Sequence, residues 1–263
     1  MFRRKPAIEI KSPDQLAVMR QAGLVVARAL AAITEAAAPG VTTRSLDEVA
    51  RDVLADHGAT SSFLHYRPHG AIPYPAVICA SVNDEVVHGI PGGRILADGD
   101  LLSVDFGAVV DGWHGDAAVS ILVGQASPEV EDLSRATSAA MWAGLAAARA
   151  GNHLTDISHA VEQAIGGRFG VVEEYGGHGI GSRMHMDPHI LNYGPPGRGP
   201  VLEPGMALAI EPMATLGSPE VMVLADGWTV STADGSWAAH WEHTVAVTEA
   251  GPWVLTALED VRL

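Results

Sequence analysis

The sequence predicts an α+β fold in which two related halves, about 12–124 and 127–250, each lay a helix pair on one shared, mainly antiparallel sheet. Three observations predict it. Ser12-Pro13 and Ser127-Pro128 each put a capping serine and a proline at the start of a long stretch with apolar residues every three or four positions. Each stretch meets a glycine stop, a short link and a shorter amphipathic run. Alternating apolar segments follow, and the clearest is residues 101–122, where two runs flank Asp111-Gly112 as in a hairpin.

Taken in order, the first helix carries Leu16, Met19, Gly23, Val26, Leu30 and Ile33 on its buried stripe and should stop at Pro39-Gly40. After a Val41-Thr42-Thr43 link, Ser45 with Glu48 reads as the cap of a second helix that buries Leu46, Val49, Val53 and Leu54 and ends at His57-Gly58. Residues 61–75, rich in proline, glycine and aromatics, read as a loop, 76–81 as a strand, and 83–93 as another loop. In the second half, helices are expected from Ser127 to Gly151 and from Thr155 to Ile165, with strands at 171–175, 206–211, 220–224, 228–231 and 240–248. No linker or low-complexity tract divides the chain, so residues 1–263 read as one domain.

Composition narrows the function. The chain has 263 residues, 48% of them hydrophobic, enough for one large core. Sixteen basic against thirty-one acidic residues give a formal charge of -15, which argues against nucleic acid or an anionic membrane as the main partner. The basic start lacks an apolar stretch behind it, and no later segment reads as an unbroken membrane span, so a cytoplasmic protein is expected. Cys79 is the only cysteine, which excludes an internal disulfide and a cysteine-zinc site. Any metal must be held by histidine and carboxylate.

Within the hairpin, Asp105 and Asp116 are eleven residues apart, and a two- or four-residue loop around Asp111-Gly112 sets them on one face. Such a pair is either solvated at an edge or neutralised by a cation. A three-residue loop with regular pairing would instead turn Asp116 away. Further along, His178 lies in a glycine-rich turn, Glu211 closes an apolar strand and Glu242 opens another. Each alone has an ordinary explanation, but one divalent site accounts for all five together. Four carboxylates and an imidazole suit two ions bridged by carboxylates, and the oxygen-rich set favours Mn, Fe, Co or Zn. His114, two residues before Asp116, is the candidate to orient a ligand from behind. His57, His65, His69, His153, His159 and His189 read as solvated or capping groups.

These residues fall, in order, within blocks that resemble the type I methionine aminopeptidases: NDEVVHGIPGG with His88, DGWHGD with Asp116, GGHGIG with His178, IEPM with Glu211 and WEHT with Glu242. The resemblance covers nearly the whole chain. It implies a pita-bread fold, two pseudo-symmetric halves on a curved sheet, with a dinuclear metal centre in a central cleft. It also implies removal of the initiator methionine from nascent polypeptides when the second residue is small, by a monomer in transient contact with the ribosome. By the same resemblance, Asp105 chelates one ion, Asp116 and Glu242 bridge both, and His178 with Glu211 hold the other. His88 and His185 are the catalytic histidines, Glu211 doubles as a proton shuttle, and Tyr66, Tyr74, Cys79, Met184 and Trp228 line the methionine pocket. Three stretches depart from the family pattern: a longer loop over residues 65–75, Met186-Asp187-Pro188-His189 after His185, and His240-Trp241 where glutamine and tyrosine or phenylalanine are usual. Another pita-bread hydrolase, an Xaa-Pro aminopeptidase or dipeptidase, is the nearest alternative, and a non-catalytic pita-bread binding protein the more distant one.

Overall fold

The computed structural model describes residues 8–68 and 72–263. His69 lies outside the described residues. Four helices, α1 (Pro13–Ala36), α2 (Thr43–Asp56), α3 (Pro128–Ala147) and α4 (Leu154–Ile165), pack on a ten-stranded sheet. The first half supplies β1 (Thr60–Ser61), β2 (Ile78–Val82), β3 (Glu85–Val87), β4 (Leu101–Val110) and β5 (Trp113–Leu122). The second supplies β6 (Gly170–Val171), β7 (Gly177–Gly179), β8 (Met186–Ile190), β9 (Ala207–Ile210), β10 (Met213–Thr215), β11 (Val221–Val223), β12 (Val230–Thr232), β13 (Ala238–His240), β14 (Glu242–Thr248), β15 (Gly251–Val254) and β16 (Val261–Arg262). The main sheet runs β1-β4-β5-β14-β9-β7-β8, with β2 also on β4 and β15 and β16 beyond β14. Two three-stranded sheets, β13-β10-β6 and β11-β12-β3, flank it. Every pairing among these strands is antiparallel.

The register divides the sheet into two chemically different faces. Phe106 pairs with Ala117, Ala117 with His243 and His243 with Ile210, so these side chains share a face. That face buries Val104, Phe106 and Ala108 against α1 and α2, and Leu208, Ile210, Val245 and Val247 against α3 and α4. Both helix pairs thus cover one side of the sheet. The opposite side carries Asp105, Asp116 and Glu242, and the site forms there.

Serine capping sets the starts of the long helices. Ser12 accepts from the Gln15 N–H at 3.3 Å while Gln15 Oε1 returns to the Ser12 N–H at 2.8 Å. α1 stops at Ala36, three residues before Pro39. It is long enough, and with a mean hydropathy of 1.6 apolar enough, to match a membrane span, contrary to the expectation that no segment is. Its apolar residues Val25, Val26, Leu30 and Ile33 are buried in the core under the sheet, which accounts for its composition. The second cap is Thr42 rather than Ser45: the Thr42 hydroxyl accepts from the Ser45 N–H at 3.2 Å, so the supposed link already opens α2. His153 stands at the N-cap of α4, where its N–H donates to Asp156.

The strand expected over 171–175 shrinks to β6, and three other strand expectations change. The loop at 83–93 contains β3, which pairs with β12. Residues 186–190 form β8 despite Pro188, because β8 lies at the end of the sheet, where a missing donor costs no ladder bond. The strand expected over 240–248 breaks at Trp241, so His240 pairs with Met213 while Glu242 pairs with Ala118.

Gly23 shows how closely the layers approach. A Cβ there would lie 2.0 Å from the Leu255 carbonyl oxygen, and one at Gly115 would lie 2.8 Å from the Gly23 nitrogen. Mid-helix glycine costs about 1 kcal/mol relative to alanine, so helix propensity alone would favour alanine at this position. Close packing reverses the sign: Gly23→Ala should destabilise the protein by roughly 2 kcal/mol or more through overpacking. Urea denaturation measures this, and a gain in stability would show that α1 does not sit this close to the C-terminal strands.

Candidate metal centre and active site

The hairpin turn is Asp111-Gly112, with both residues at positive φ (47° and 80°), a two-residue loop of the type that matches strand twist. Pairing of Asp105 with Ala118 and of Gly107 with Asp116 sets the two aspartates diagonally on one face. Ala118 also pairs with Glu242, which aligns Asp105, Ala118 and Glu242 across three strands. On β9, Ala209 pairs with Thr244 of β14 and with His178 of β7, and Glu211 follows two residues later on the same side. The sheet register therefore carries all five residues to the face that the helices leave open.

Burial makes the cluster costly unless something neutralises it. Ligating atoms of Asp116, His178 and Glu242 lie within 4.8 Å of one another. His178 Nε2 is 3.5 Å from Glu211 Oε1. Asp105 Oδ1, Asp116 Oδ1 and Glu242 Oε1 are buried and have no hydrogen-bond partner. Burial pushes Asp116 up to about 7, and burial plus neighbouring carboxylates hold Asp105 and Glu242 well above the usual range. Glu211 rises for the same reasons. Buried carboxylate oxygens with no donor, beside a neutral imidazole, form the donor set of a hard or borderline divalent cation. The residues fit a metal.

Around this cluster the structure opens a cleft of about 560 Å³ that all the sequence-derived site residues line. Tyr66, Tyr74, Cys79, Met184 and Trp228 come together on its apolar side. The Tyr74 hydroxyl donates to the carbonyls of Ile78 and Gly89, both at 3.0 Å, so its ring is fixed at the pocket wall. Trp228 meets that ring edge-on at 5.1 Å, and its indole N–H donates to the Ile72 carbonyl at 2.9 Å. Cys79 is buried, and burial raises its thiol well above the ordinary value, so it stays a protonated wall residue.

The two histidines border opposite parts of the cleft. His88 follows β3 with φ of 61°, a strained value for a non-glycine residue, and its ring stands edge-on to Tyr175 and Trp228. His185 Nδ1 hydrogen-bonds the Tyr66 hydroxyl at 2.7 Å, and its ring lies 4.4 Å from that of His178. Burial lowers both His88 and His185 to about 4, so each is neutral at neutral pH.

The structure corrects one assignment and adds others. His114 shares Asp116's face, but its Nδ1 pairs with the Ser62 hydroxyl at 2.9 Å instead of orienting a ligand. Among the residues that sequence reasoning missed are Phe63 and Tyr175, which border the cleft, and His240, whose Nε2 lies 3.6 Å from Glu211 Oε2. Phe63 sits in a loop with no periodicity to mark it; His240 was marked only by its departure from the usual glutamine.

Comparison with known proteins agrees with this geometry. Residues 17–249 match the model of metallopeptidase family M24. The chain is 56% identical over 263 residues to methionine aminopeptidase 1 of Mycobacterium tuberculosis, covering 97% of each. It is 45% identical to methionine aminopeptidase 1 of Bacillus subtilis, covering 94% of this chain and 98% of that one. The crystal structure of methionine aminopeptidase from Thermotoga maritima superposes with a TM-score of 0.91 at 39% identity, over 95% of this chain and all of that one. Prolidase from Pyrococcus furiosus, 20% identical with a TM-score of 0.73 over 95% of this chain and 66% of its own, shares the fold alone. On its metal-ready cleft, its sheet and these likenesses, the chain belongs to metallopeptidase family M24, with the methionine aminopeptidases.

Proposed function

We propose that this cleft removes the N-terminal methionine from nascent polypeptides whose second residue is small. The observation that carries the reading is the union, in one cleft, of two buried carboxylates (Asp116, Glu242), two half-buried ones (Asp105, Glu211) and His178 with an apolar pocket walled by Tyr74, Cys79 and Met184. The pocket suits an unbranched thioether, and the acids beside it favour the substrate's α-ammonium. Asp105, Asp116, His178, Glu211 and Glu242 would hold two divalent ions of Mn, Fe, Co or Zn, which supply Lewis-acid activation of a water and of the scissile carbonyl.

The chain's own groups have distinct tasks in this reading. Burial raises the Tyr66 hydroxyl's pKa, so it stays protonated and can donate to His185 Nδ1; the proton of the neutral ring then sits on Nε2, free to donate towards the developing oxyanion. His88, its ring edge-on to Tyr175 and Trp228, would contact the peptide nitrogen beside the cut. Glu211 accepts and returns the proton of the attacking water. Every group invoked comes from one chain, so a monomer is sufficient. We place its work in the cytoplasm, in transient contact with the ribosome, and we take the whole chain as one catalytic domain of two related halves.

A peptide panel tests the proposal. Met-Ala-Ser should be cleaved and Xaa-Pro peptides left intact. Cleavage of the Xaa-Pro set alone would assign the cleft to the dipeptidase reading, and failure on both with metal supplied would favour a binding protein.

A further inference from the structure

We propose that His240 is a positioning residue of the metal centre: its Nε2–H donates to Glu211 Oε2 and holds that carboxylate with Oε1 facing His178. The inference rests on the metal-centre reading above. Glu211 needs such a partner because it lies one residue beyond β9 and just before Pro212, outside the strand ladder. Asn192 Nδ2 donates to the Glu211 carbonyl at 3.1 Å, but that bond fixes the backbone only. The carboxylate itself is bracketed by two imidazoles, with Oε1 3.5 Å from His178 Nε2 and Oε2 3.6 Å from His240 Nε2.

His240 is held for this task by the hairpin itself. Ser103 and Ser120 pair across β4 and β5 on the same face as Asp105, and their hydroxyls lie 2.8 Å apart. The His240 N–H donates to Ser120 Oγ at 3.0 Å and to Ser103 Oγ at 3.3 Å, and Ser120 Oγ donates to the His240 carbonyl at 2.9 Å. Both backbone polar groups of His240 are thus clasped at the break between β13 and β14. The residue is 1% exposed and lines the cleft, and its Nε2 is buried without a hydrogen-bond partner. A buried ring nitrogen with one carboxylate oxygen in reach is satisfied by that oxygen or not at all. The remaining gap is slightly longer than a hydrogen bond, and a small rotation of either side chain closes it.

Titrating the metal-depleted protein with Co²⁺, by calorimetry and by the visible absorption of the bound ion, tests this assignment apart from activity. His240→Leu should weaken Co²⁺ binding about 10- to 100-fold and alter the absorption bands. His240→Gln, which keeps an N–H donor at the end of the side chain, should bind within about threefold of the parent. Should His240→Leu fail to fold, His240→Asn, whose amide is too short to reach, takes its place. Unchanged affinity and bands in the leucine or asparagine variant overturn the assignment, as does a glutamine variant no better than leucine. Asp116→Asn separates the two levels: if it binds Co²⁺ like the parent, the metal-centre reading falls and the His240 assignment with it, whereas weak binding there beside normal binding in His240→Leu overturns the His240 assignment alone.

Discussion

Replacing Asp116 by asparagine should lower methionine release by about a thousandfold or more, and added Co²⁺ or Mn²⁺ should not restore it. The loss follows from removing a buried ligand charge, since metal activation is worth several kcal/mol and each 1.36 kcal/mol is a factor of ten. Chelator treatment of the parent should produce a similar loss that the same ions reverse. A second readout needs no substrate. In the metal-free protein, burial holds Asp116 up to about 7, so folding favours its protonated form. A carboxyl raised on folding contributes stability that is complete below its unfolded pKa near 4 and is lost as pH rises through the folded value. The metal-free protein should therefore lose stability as pH rises from about 4 to 7, and Asp116→Asn should flatten that slope. Thermal melts with and without Co²⁺ decide it. A metal-free protein whose stability rises over this interval would show that the four acids are not crowded as described.

The second large effect is at the neutral histidines. His185→Ala and His88→Ala should each reduce kcat/KM by about 10²- to 10⁴-fold, the range for loss of a positioned proton donor or oxyanion contact. Metal affinity should stay at the parent value in both, because neither residue is one of the five clustered donors. Tyr66→Phe should act on His185 more weakly, about tenfold in kcat, since it removes only the bond that sets the ring's tautomer. If His185→Ala loses the ions along with the activity, His185 is a ligand. If it keeps more than a third of the activity, the oxyanion role is wrong.

The site was legible in unequal parts. Asp105 and Asp116 were visible because a two-residue turn and a period of two determine which hairpin residues share a face, and Asp111-Gly112 is a turn signal that needs no tertiary partner. His178, Glu211 and Glu242 were readable as polar interruptions in apolar or glycine-rich runs, and as blocks resembling a known family. Their meeting was not readable from spacing. It depends on β14 pairing with β5 at Glu242 and Ala118, a contact between residues more than a hundred positions apart. The tyrosines, Cys79 and Met184 were named by resemblance; composition alone cannot tell a pocket wall from core, since both are apolar and buried.

By itself, then, the sequence determined where the long helices begin, which turn closes the hairpin, and that any metal must be bound by carboxylate and imidazole. Those are consequences of local hydrogen bonding and of which donor atoms exist. Only the tertiary structure decided that His240 rather than His114 stands beside a candidate ligand, that the strand over 240–248 breaks at Trp241, and that Phe63 and Tyr175 join the cleft. Each of these depends on contacts between residues far apart in the chain. Ser62 takes His114, while Ser103 and Ser120 hold the backbone N–H of His240, whose ring stands beside Glu211.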